Sequence, residues 1–324
     1  MIHIRAQTAD GRKLIDPPLD DLARLRSEPS TSVWVDLESG TSQEVELIAG
    51  IFGLMHLTVE DLVHQGQRAK LEPFDGYNVL IMHGMKFDSR ALTIETPELD
   101  IVLGKNFLIT NHEGSMPTVL QDPQGPEHAC AHLGKSPTYA LYAVVDRLVD
   151  SYYPVLESID DAIETLENDV ITNPTPDVLQ RIFSLKRSLS QLRKVISPQL
   201  EVFNRLIARE DEFIDPRYVV FFRDIYDHLV RTFEVVDSYR DVMSSAMDAY
   251  LSTVSNRQND VMKRLTVFAT IFMPITFLTG LFGQNFYHMP QVEHDFGYLW
   301  WVVLGSMIAL SGGQILYYRR RGWI

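Results

Sequence analysis

A stretch near the end of the sequence decides how the chain is organised: residues 262–285, MKRLTVFATIFMPITFLTGLFGQN. No charged residue lies between Leu265 and Tyr287. About 20 predominantly apolar residues are enough for a helix to cross a bilayer. We therefore expect a transmembrane helix at about residues 265–285, although a buried core helix of a soluble protein would also be apolar.

A second uncharged run, residues 296–318, predicts a second transmembrane helix after a short loop at residues 286–295. Lys263 and Arg264 precede the first helix, and three arginines follow the second helix in the tail, residues 319–324. Basic residues beside membrane segments mark the cytoplasmic side. We therefore expect a protein of the cell inner membrane with both termini in the cytoplasm and the loop outside.

The charge balance of the chain is acidic. Lysine and arginine together number 29, and aspartate and glutamate number 43, which gives a net charge of −14. Such a balance disfavours a nucleic-acid partner. Carboxylates on a ring of several chains would concentrate cations, although charge that only keeps the protein soluble explains the composition equally well. The single cysteine, Cys130, excludes an intrachain disulfide.

The first part of the chain, residues 1–135, has the pattern of an α/β domain with a mixed sheet. Runs rich in Val, Ile, Leu and aromatic residues predict strands at residues 2–6, 33–37, 78–85, 99–103 and 107–111. Two short helices are expected at residues 42–51 and 58–64. Ser42 and Thr58 are the predicted N-caps, because a side-chain hydroxyl can accept a hydrogen bond from the first helical turn.

After this domain the pattern becomes helical. Residues 136–214 predict a hairpin of two antiparallel helices, an acidic one to about residue 173 and a basic one from residue 177. Pro154 should kink or interrupt the acidic helix. After Pro216 no proline or glycine occurs before Pro274. Residues 215–283 therefore predict one stalk helix, roughly 100 Å long, that continues into the first membrane segment.

One face of the predicted stalk carries a polar stripe. Its members follow each other at steps of four and three, as in a heptad pattern, but they are small or polar: Asp248, Ser252, Ser255, Asn259, Met262, Thr266, Ala269, Met273, Thr276 and Gly280. Small residues also mediate close helix packing in membranes, so a packing seam is one explanation. The other is an axial pore, with oxygens from Asn259, Thr266 and Thr276. Apolar collars would then lie at Met262, Leu265 and Met273, and a ring of several chains would be required.

The stretch from the stalk into the loop, AMDAYLSTVSNRQNDVMKRLTVFATIFMPITFLTGLFGQNF, resembles the CorA family of divalent-cation channels. Other stretches that look like landmarks of that family are WVDL at 34–37, HLTVED at 56–61, QRAKLE at 67–72, Tyr77, YVVFFRDIYD at 218–227 and YRRRGWI at 318–324. The resemblance covers nearly the whole chain. It implies a homopentamer with a funnel-shaped cytoplasmic α/β/α domain, long stalk helices that line the pore, and second membrane helices outside them.

The resemblance also implies roles for individual residues. The family's Gly-Met-Asn motif at the outer end of the pore corresponds to Gly283, Gln284 and Asn285, where the Asn amide oxygens of the ring would hold a hydrated cation. Mg²⁺ loses its water reluctantly, so neutral oxygens suit it. Hydrophobic collars would gate the pore by dewetting. The positions that match the family's pore lining and gate are Gly280, Thr276, Met273, Leu265, Met262, Asn259 and Asp248.

The resemblance further implies that a divalent cation is both substrate and regulator, with no prosthetic group. Asp88 and Asp224 match a carboxylate pair that binds regulatory metal between neighbouring subunits. Gln284 replaces the family's methionine, and members with other middle residues include the ZntB branch, which moves Zn²⁺. His288 and His294 in the loop would suit Zn²⁺, although loop histidines are commonly only solvated. We expect Mg²⁺, with Co²⁺ and Ni²⁺ as companions, and keep Zn²⁺ as the alternative.

Two other classes of protein are compatible with a membrane hairpin. A membrane-tethered enzyme would need catalytic groups, but the sequence has no phosphate-binding loop, nucleophile elbow or dense cluster of metal ligands. A membrane sensor without a pore would use the stalk as a signalling rod. The polar stripe and the Gly-x-Asn mouth argue against the sensor.

Overall fold

The computed structural model describes residues 1–114, 116, 126–208, 213–284 and 297–323. The chain forms two compact units, Met1–Met247 and Asp248–Ile324. The first unit contains all the described strands and the second contains two apolar helical segments.

A seven-stranded mixed sheet forms the centre of the first unit. The strands are β1 (Ile2–Gln7), β2 (Lys13–Ile15), β3 (Ser32–Glu38), β4 (Lys70–Phe74), β5 (Tyr77–His83), β6 (Lys86–Asp88), β7 (Thr93–Glu95), β8 (Glu98–Gly104) and β9 (Phe107–His112). The order across the sheet is β2-β1-β3-β9-β8-β5-β4, and β6 pairs with β7 in a separate hairpin. β3 and β9 run parallel, whereas the other neighbours run antiparallel. All five strands expected from the sequence are present, with slightly different ends.

Nine helices accompany these strands in the described part of the chain. They are α1 (Leu22–Ser27), α2 (Ser42–Phe52), α3 (His56–Val63), α4 (Pro126–Leu133), α5 (Pro137–Asp150), α6 (Tyr152–Thr172), α7 (Pro176–Ala208), α8 (Val219–Phe282) and α9 (Gly297–Arg320). The helix α8 has 64 residues without interruption, as expected for the stalk. Pro274 lies inside it.

Helices cover both faces of the central strands, which explains their apolar sequences. β5, β8 and β9 are buried along their whole length. Alternate side chains, among them Val79 and Ile81, join one core cluster with residues of α1, α2 and α3. Side chains of successive residues point to opposite faces of a strand, and α5 packs against β3, β8 and β9. The predicted α/β/α architecture is confirmed.

Both predicted N-caps are wrong by a few residues. The cap of α2 is Thr41, because the Glu44 N–H donates to the Thr41 hydroxyl and the Thr41 N–H donates to the Glu44 carboxylate at 2.9 Å. The helix α3 begins two residues before Thr58, at His56. Thr58 is buried inside that helix, and its hydroxyl shares a hydrogen bond of 2.8 Å with the Tyr77 hydroxyl. Adjacent hydroxyl residues cannot be told apart as caps by pattern alone.

The interruption of the acidic helix lies before Pro154. α5 ends at Asp150, and α6 begins at Tyr152. Pro154 is therefore in the first turn of α6, where its missing N–H breaks no helical hydrogen bond. The basic helix α7 follows after three residues, and Arg181 donates to the Asp169 carboxylate of α6 at 2.8 Å. Opposite charges on the two helices thus meet at this point.

Two helical segments, Pro216–Phe282 and Trp300–Arg320, are long and apolar enough to cross a membrane. Only 6% of the most apolar window of the first segment and 0% of that of the second are buried. A core helix of a soluble protein would be mostly buried. The exposure of the apolar side chains therefore argues against the core-helix alternative.

Candidate ion pathway and metal-binding carboxylates

The polar stripe is an exposed face of α8 in the second unit. Every one of its ten members is exposed, as is Leu265 beside it. The apolar members are among the most exposed side chains of the chain, with Met262 at 52% and Met273 at 71%. Within the single chain, the described residues therefore leave the side chains of this face uncovered.

The opposite side of the same segment is covered by α9. Val267 is buried, and the residues at half-buried positions include Thr270 and Pro274. The Thr270 and Tyr318 hydroxyls share a hydrogen bond of 2.9 Å, which connects the two helices. Hydrogen bonds between membrane helices stabilise their packing. The residues on this side of the segment are thus less exposed than those of the stripe, and one of them contacts α9.

The hydroxyl of Thr266 is arranged as an acceptor. It donates its proton to the Met262 carbonyl at 2.8 Å, within the helix. The remaining lone pairs of the oxygen can accept hydrogen bonds from water. A hydrated cation presents the hydrogens of its water ligands outward, so this oxygen suits contact with a cation that keeps its water.

A cavity of about 570 Å³ lies beside the N-terminal half of the stripe. Its lining residues are Asn256, Asn259, Asp260, Met262, Lys263, Thr266 and Trp323. Trp323 stacks on Tyr318, with ring centroids 5.5 Å apart. Trp323 thus lies beside Asn259 and Met262 at this cavity.

The C-terminal end of α8 requires a glycine at position 283. The Gly283 N–H donates to the Thr279 carbonyl at 2.9 Å. A Cβ atom added to Gly283 would lie 2.8 Å from that carbonyl oxygen, closer than real Cβ contacts. Gln284 follows and is exposed. The third residue of the predicted mouth, Asn285, lies outside the described residues, as do His288 and His294 of the loop.

Asp88 is an exposed carboxylate at the end of β6. It accepts hydrogen bonds from the backbone N–H groups of Arg90 at 2.8 Å and Ala91 at 3.1 Å. These bonds, the one from Ala91 above all, hold the pKa of Asp88 below its ordinary value. A carboxylate held ionised in this way is ready to bind a cation.

Asp224 lies on α8 in the first unit, close to a group of acidic residues on α5. Burial and the charge of Asp150 raise the pKa of Asp146, and the charge of Asp224 raises it further. Burial and the charge of Asp146 raise the pKa of Tyr142 to about 12. The sequence analysis missed Asp146, although Asp146 and Asp150 are four residues apart on one helix and therefore neighbours on its surface.

Within one chain, the described residues do not assemble a complete metal site. No group of three or more His, Cys, Asp or Glu side chains among them is arranged to hold a metal ion. Asp88 bonds to its own turn, whereas Asp224 lies near Asp146 and Tyr142 of α5. Asp88 and Asp224 are thus not brought together in one metal-binding group within the described part of the chain.

Comparison with known proteins agrees with this geometry. The family described as CorA-like Mg²⁺ transporter protein matches residues 29–320. The chain is 34% identical over 304 residues to the cobalt/magnesium transport protein CorA of Thermotoga maritima, covering 92% of this chain and 85% of that protein. It is 24% identical over 300 residues to the zinc transport protein ZntB of Yersinia pseudotuberculosis, covering 90% of this chain and 88% of that protein.

The fold also matches a solved structure over its full length. The complete structure of the CorA magnesium transporter from Methanocaldococcus jannaschii superposes with a TM-score of 0.81 and 20% sequence identity. The match covers 100% of this chain and 99% of that chain. At this identity the likeness establishes the architecture.

Proposed function

Because the chain belongs to the family of CorA-like Mg²⁺ transporter proteins, we propose that it conducts Mg²⁺ across a membrane, with Co²⁺ and Ni²⁺ as companion ions. Proteins of this family move ions and are not enzymes. The single observation that carries the proposal is the exposed polar stripe of α8, which lies on a helix long and apolar enough to span a bilayer.

The conducting form in this proposal is a homopentamer. Five copies of α8 would turn their stripes to a common axis, and α9 would lie outside them. The two faces of α8 support this arrangement, since α9 covers one face and leaves the stripe exposed. The predicted pore runs from the mouth at Gly283, Gln284 and Asn285 inward. Its inner positions are Gly280, Thr276, Met273, Leu265, Met262, Asn259 and Asp248.

The proposed orientation places both termini in the cytoplasm of a cell with an inner membrane. Residues 1–135 and 136–214 would form the cytoplasmic domain, and residues 215–283 the stalk and first membrane helix. The loop at residues 286–295 would face outside. Lys263 and the arginines of the tail support this orientation, because basic residues mark the cytoplasmic edge of a membrane protein.

Cytoplasmic metal would regulate the channel through Asp88 and Asp224 of adjacent chains. At high internal Mg²⁺, ions would bridge the two carboxylates and hold the ring symmetric and closed. At low Mg²⁺, repulsion would loosen the ring and allow the collars at Met262, Leu265 and Met273 to widen. A ligand can shift such an equilibrium only through different affinities for its two states. The ionised state of Asp88 and the acidic surroundings of Asp224 support this role.

Zn²⁺ is the alternative cargo, favoured by Gln284 in the place of the motif's methionine and by the similarity to a zinc transport protein. Mg²⁺ is better supported, because the identity to the cobalt/magnesium transport protein is 34% and the identity to the zinc transport protein is 24%.

Ion flux into proteoliposomes tests the proposal, with Mg²⁺ and Zn²⁺ compared side by side. We expect Mg²⁺ entry in the wild type and its loss in Asn285→Ala. Asn168→Ala, a change of the same chemistry at an exposed site on α6, should conduct normally. Zn²⁺ flux without Mg²⁺ flux would establish the alternative. Failure of the wild type to pass either ion would contradict transport and favour a sensor.

A further inference from the structure

Two histidines on α4 face each other at a distance that suits a shared metal ion. His128 and His132 are four residues apart on this helix and therefore lie on the same side of it. Their nearest ring nitrogens, Nδ1 of His128 and Nε2 of His132, are 3.2 Å apart. We propose that this pair binds a transition-metal ion, of the class of Ni²⁺, Co²⁺ or Zn²⁺, at a site separate from the carboxylates that would hold Mg²⁺.

The distance between the two nitrogens supports the proposal. A metal bound to imidazole lies about 2.0–2.1 Å from each nitrogen. Two such bonds to atoms 3.2 Å apart would enclose an angle of about 100° at the metal. This angle lies between the values for octahedral and tetrahedral coordination. The two rings stand edge to face, with planes at 74° and centroids 4.3 Å apart. At this separation both nitrogens can reach one ion without a change in backbone, and the ion would replace the proton of the hydrogen bond between the rings.

The surrounding residues hold the pair in place. Ala129, Cys130 and Leu133 are buried on the side of α4 that packs against the sheet. The ring of His132 stacks on Tyr139 of α5, with centroids 5.4 Å apart and planes at 25°. The ammonium nitrogen of Lys135 lies 3.9 Å from the centroid of the same Tyr139 ring. A site whose ligands are already oriented loses less entropy when the ion binds.

The ligand type determines which ions fit. Imidazole suits Zn²⁺, Cu²⁺ and Ni²⁺, whereas Mg²⁺ takes oxygen ligands and keeps much of its water. No third His, Cys, Asp or Glu side chain joins the pair in the part of the chain that the structure describes. The site, which lies in the first unit, would bind transition metals in preference to Mg²⁺. This proposal does not depend on the proposed transport function.

Binding of Ni²⁺ to the full chain in detergent tests the inference. An excess of Mg²⁺ in the buffer would occupy the oxygen sites and leave the imidazoles free. We expect His128→Ala and His132→Gln each to lose one bound Ni²⁺ per chain relative to the wild type. His56→Ala, which removes an exposed histidine from α3, should bind as much Ni²⁺ as the wild type. Equal Ni²⁺ binding in all four proteins would overturn the proposal.

A crystal of the wild-type protein soaked in Ni²⁺ gives a second test that needs no substitution. An anomalous peak within bonding distance of His128 Nδ1 and His132 Nε2 is the expected result. Absence of such a peak, at a Ni²⁺ concentration that saturates binding in solution, would contradict the site even if the variants failed to fold. If the protein does not conduct Mg²⁺, Ni²⁺ binding in detergent and the anomalous peak would still be expected. Failure of the proposed transport function can therefore be told apart from failure of the histidine site.

Discussion

Asp100 and Glu98 are buried carboxylates two residues apart on β8, and therefore on the same face of the sheet. Burial raises the pKa of Asp100 well above its ordinary value, and the charge of Glu98 raises it further. Asp100 accepts a hydrogen bond from the Asn111 amide at 2.9 Å, and Glu98 accepts two from the Gly66 and Gln67 N–H groups. Among the described residues, no donor reaches the second oxygen of either carboxylate. A proton on Asp100 would relieve the repulsion between them.

The raised pKa makes Asp100 a source of pH-dependent stability. Its folded-state pKa lies above the unfolded value of 3.8, so the folded chain binds the proton more tightly. The stabilisation is complete below the unfolded pKa and is lost as the pH rises through the folded pKa. Each unit of difference between the two pKa values corresponds to about 1.4 kcal/mol.

Asp100→Asn should therefore be more stable than the wild type at pH 8 and should lose this advantage at pH 5. The amide keeps an acceptor for Asn111 and can donate to the Glu98 oxygen that has no partner. Thermal unfolding of the full chain in detergent at the two pH values measures the effect. Asp75→Asn, at an exposed position, should show no such difference. An equal loss of stability at both pH values would show that Asp100 is not protonated.

At the scale of helices and strands, elements with a strong pattern were predictable. The strands β3 and β9 are apolar because helices cover both of their faces. Their burial could therefore be predicted from the run of apolar residues in each strand. The short strands β2 and β6 were missed, since each has three residues with exposed ends and forms only through pairing with a neighbour. The N-caps Thr41 and Met55 are set by backbone angles. The presence of a hydroxyl residue nearby in the sequence does not predict these angles.

The candidate site was also only partly predictable from the sequence. The stripe on α8 follows from helical spacing, because all its members belong to one continuous helix. Asp88 and Asp224 are far apart in sequence and were connected only through the family resemblance. His128 and His132 have the spacing of a metal-binding pair, but their orientation depends on stacking with Tyr139. Spacing alone does not determine that orientation.

The hydrogen bond between Thr270 and Tyr318 should stabilise the packing of α8 against α9. Tyr318→Phe removes only the hydroxyl, and keeps the ring that stacks on Trp323. Hydrogen bonds between membrane helices contribute about 0.6 kcal/mol on average and up to about 1.7 kcal/mol. We therefore expect a small decrease in the melting temperature of the protein in detergent.

The neighbouring Tyr317 provides the matched control for this change. It is 53% exposed, and its ring contacts the Arg321 guanidinium and the Tyr318 ring. Tyr317→Phe should leave the melting temperature unchanged. If both variants melt at the same temperature as the wild type, the hydroxyl contact contributes nothing to the packing of the two helices.

For the whole molecule, the acidic charge would connect the proposed assembly with the proposed regulation. A net charge of −14 per chain would be multiplied in a ring, and carboxylates that face each other between chains would repel. Divalent cations that bind between the chains would reduce this repulsion. Coupling between a regulatory ligand and a conformational equilibrium is typically about 5- to 150-fold in affinity, and the equilibrium between the open and closed gate would shift by a factor of this order as internal Mg²⁺ changes.

Asp224→Lys tests this coupling, because it replaces one half of the proposed bridge with a positive charge. The ammonium group of lysine would repel a divalent cation from the position beside Asp88 of the adjacent chain. We expect flux in proteoliposomes to become insensitive to internal Mg²⁺, whereas inhibition of the wild type increases as internal Mg²⁺ rises.

Asp241→Lys makes the same change of charge at another exposed position of α8 and should remain sensitive. Unchanged inhibition in Asp224→Lys would show that the gate responds to metal elsewhere, and equal loss of inhibition in both variants would attribute regulation to total charge rather than to a bridge between chains.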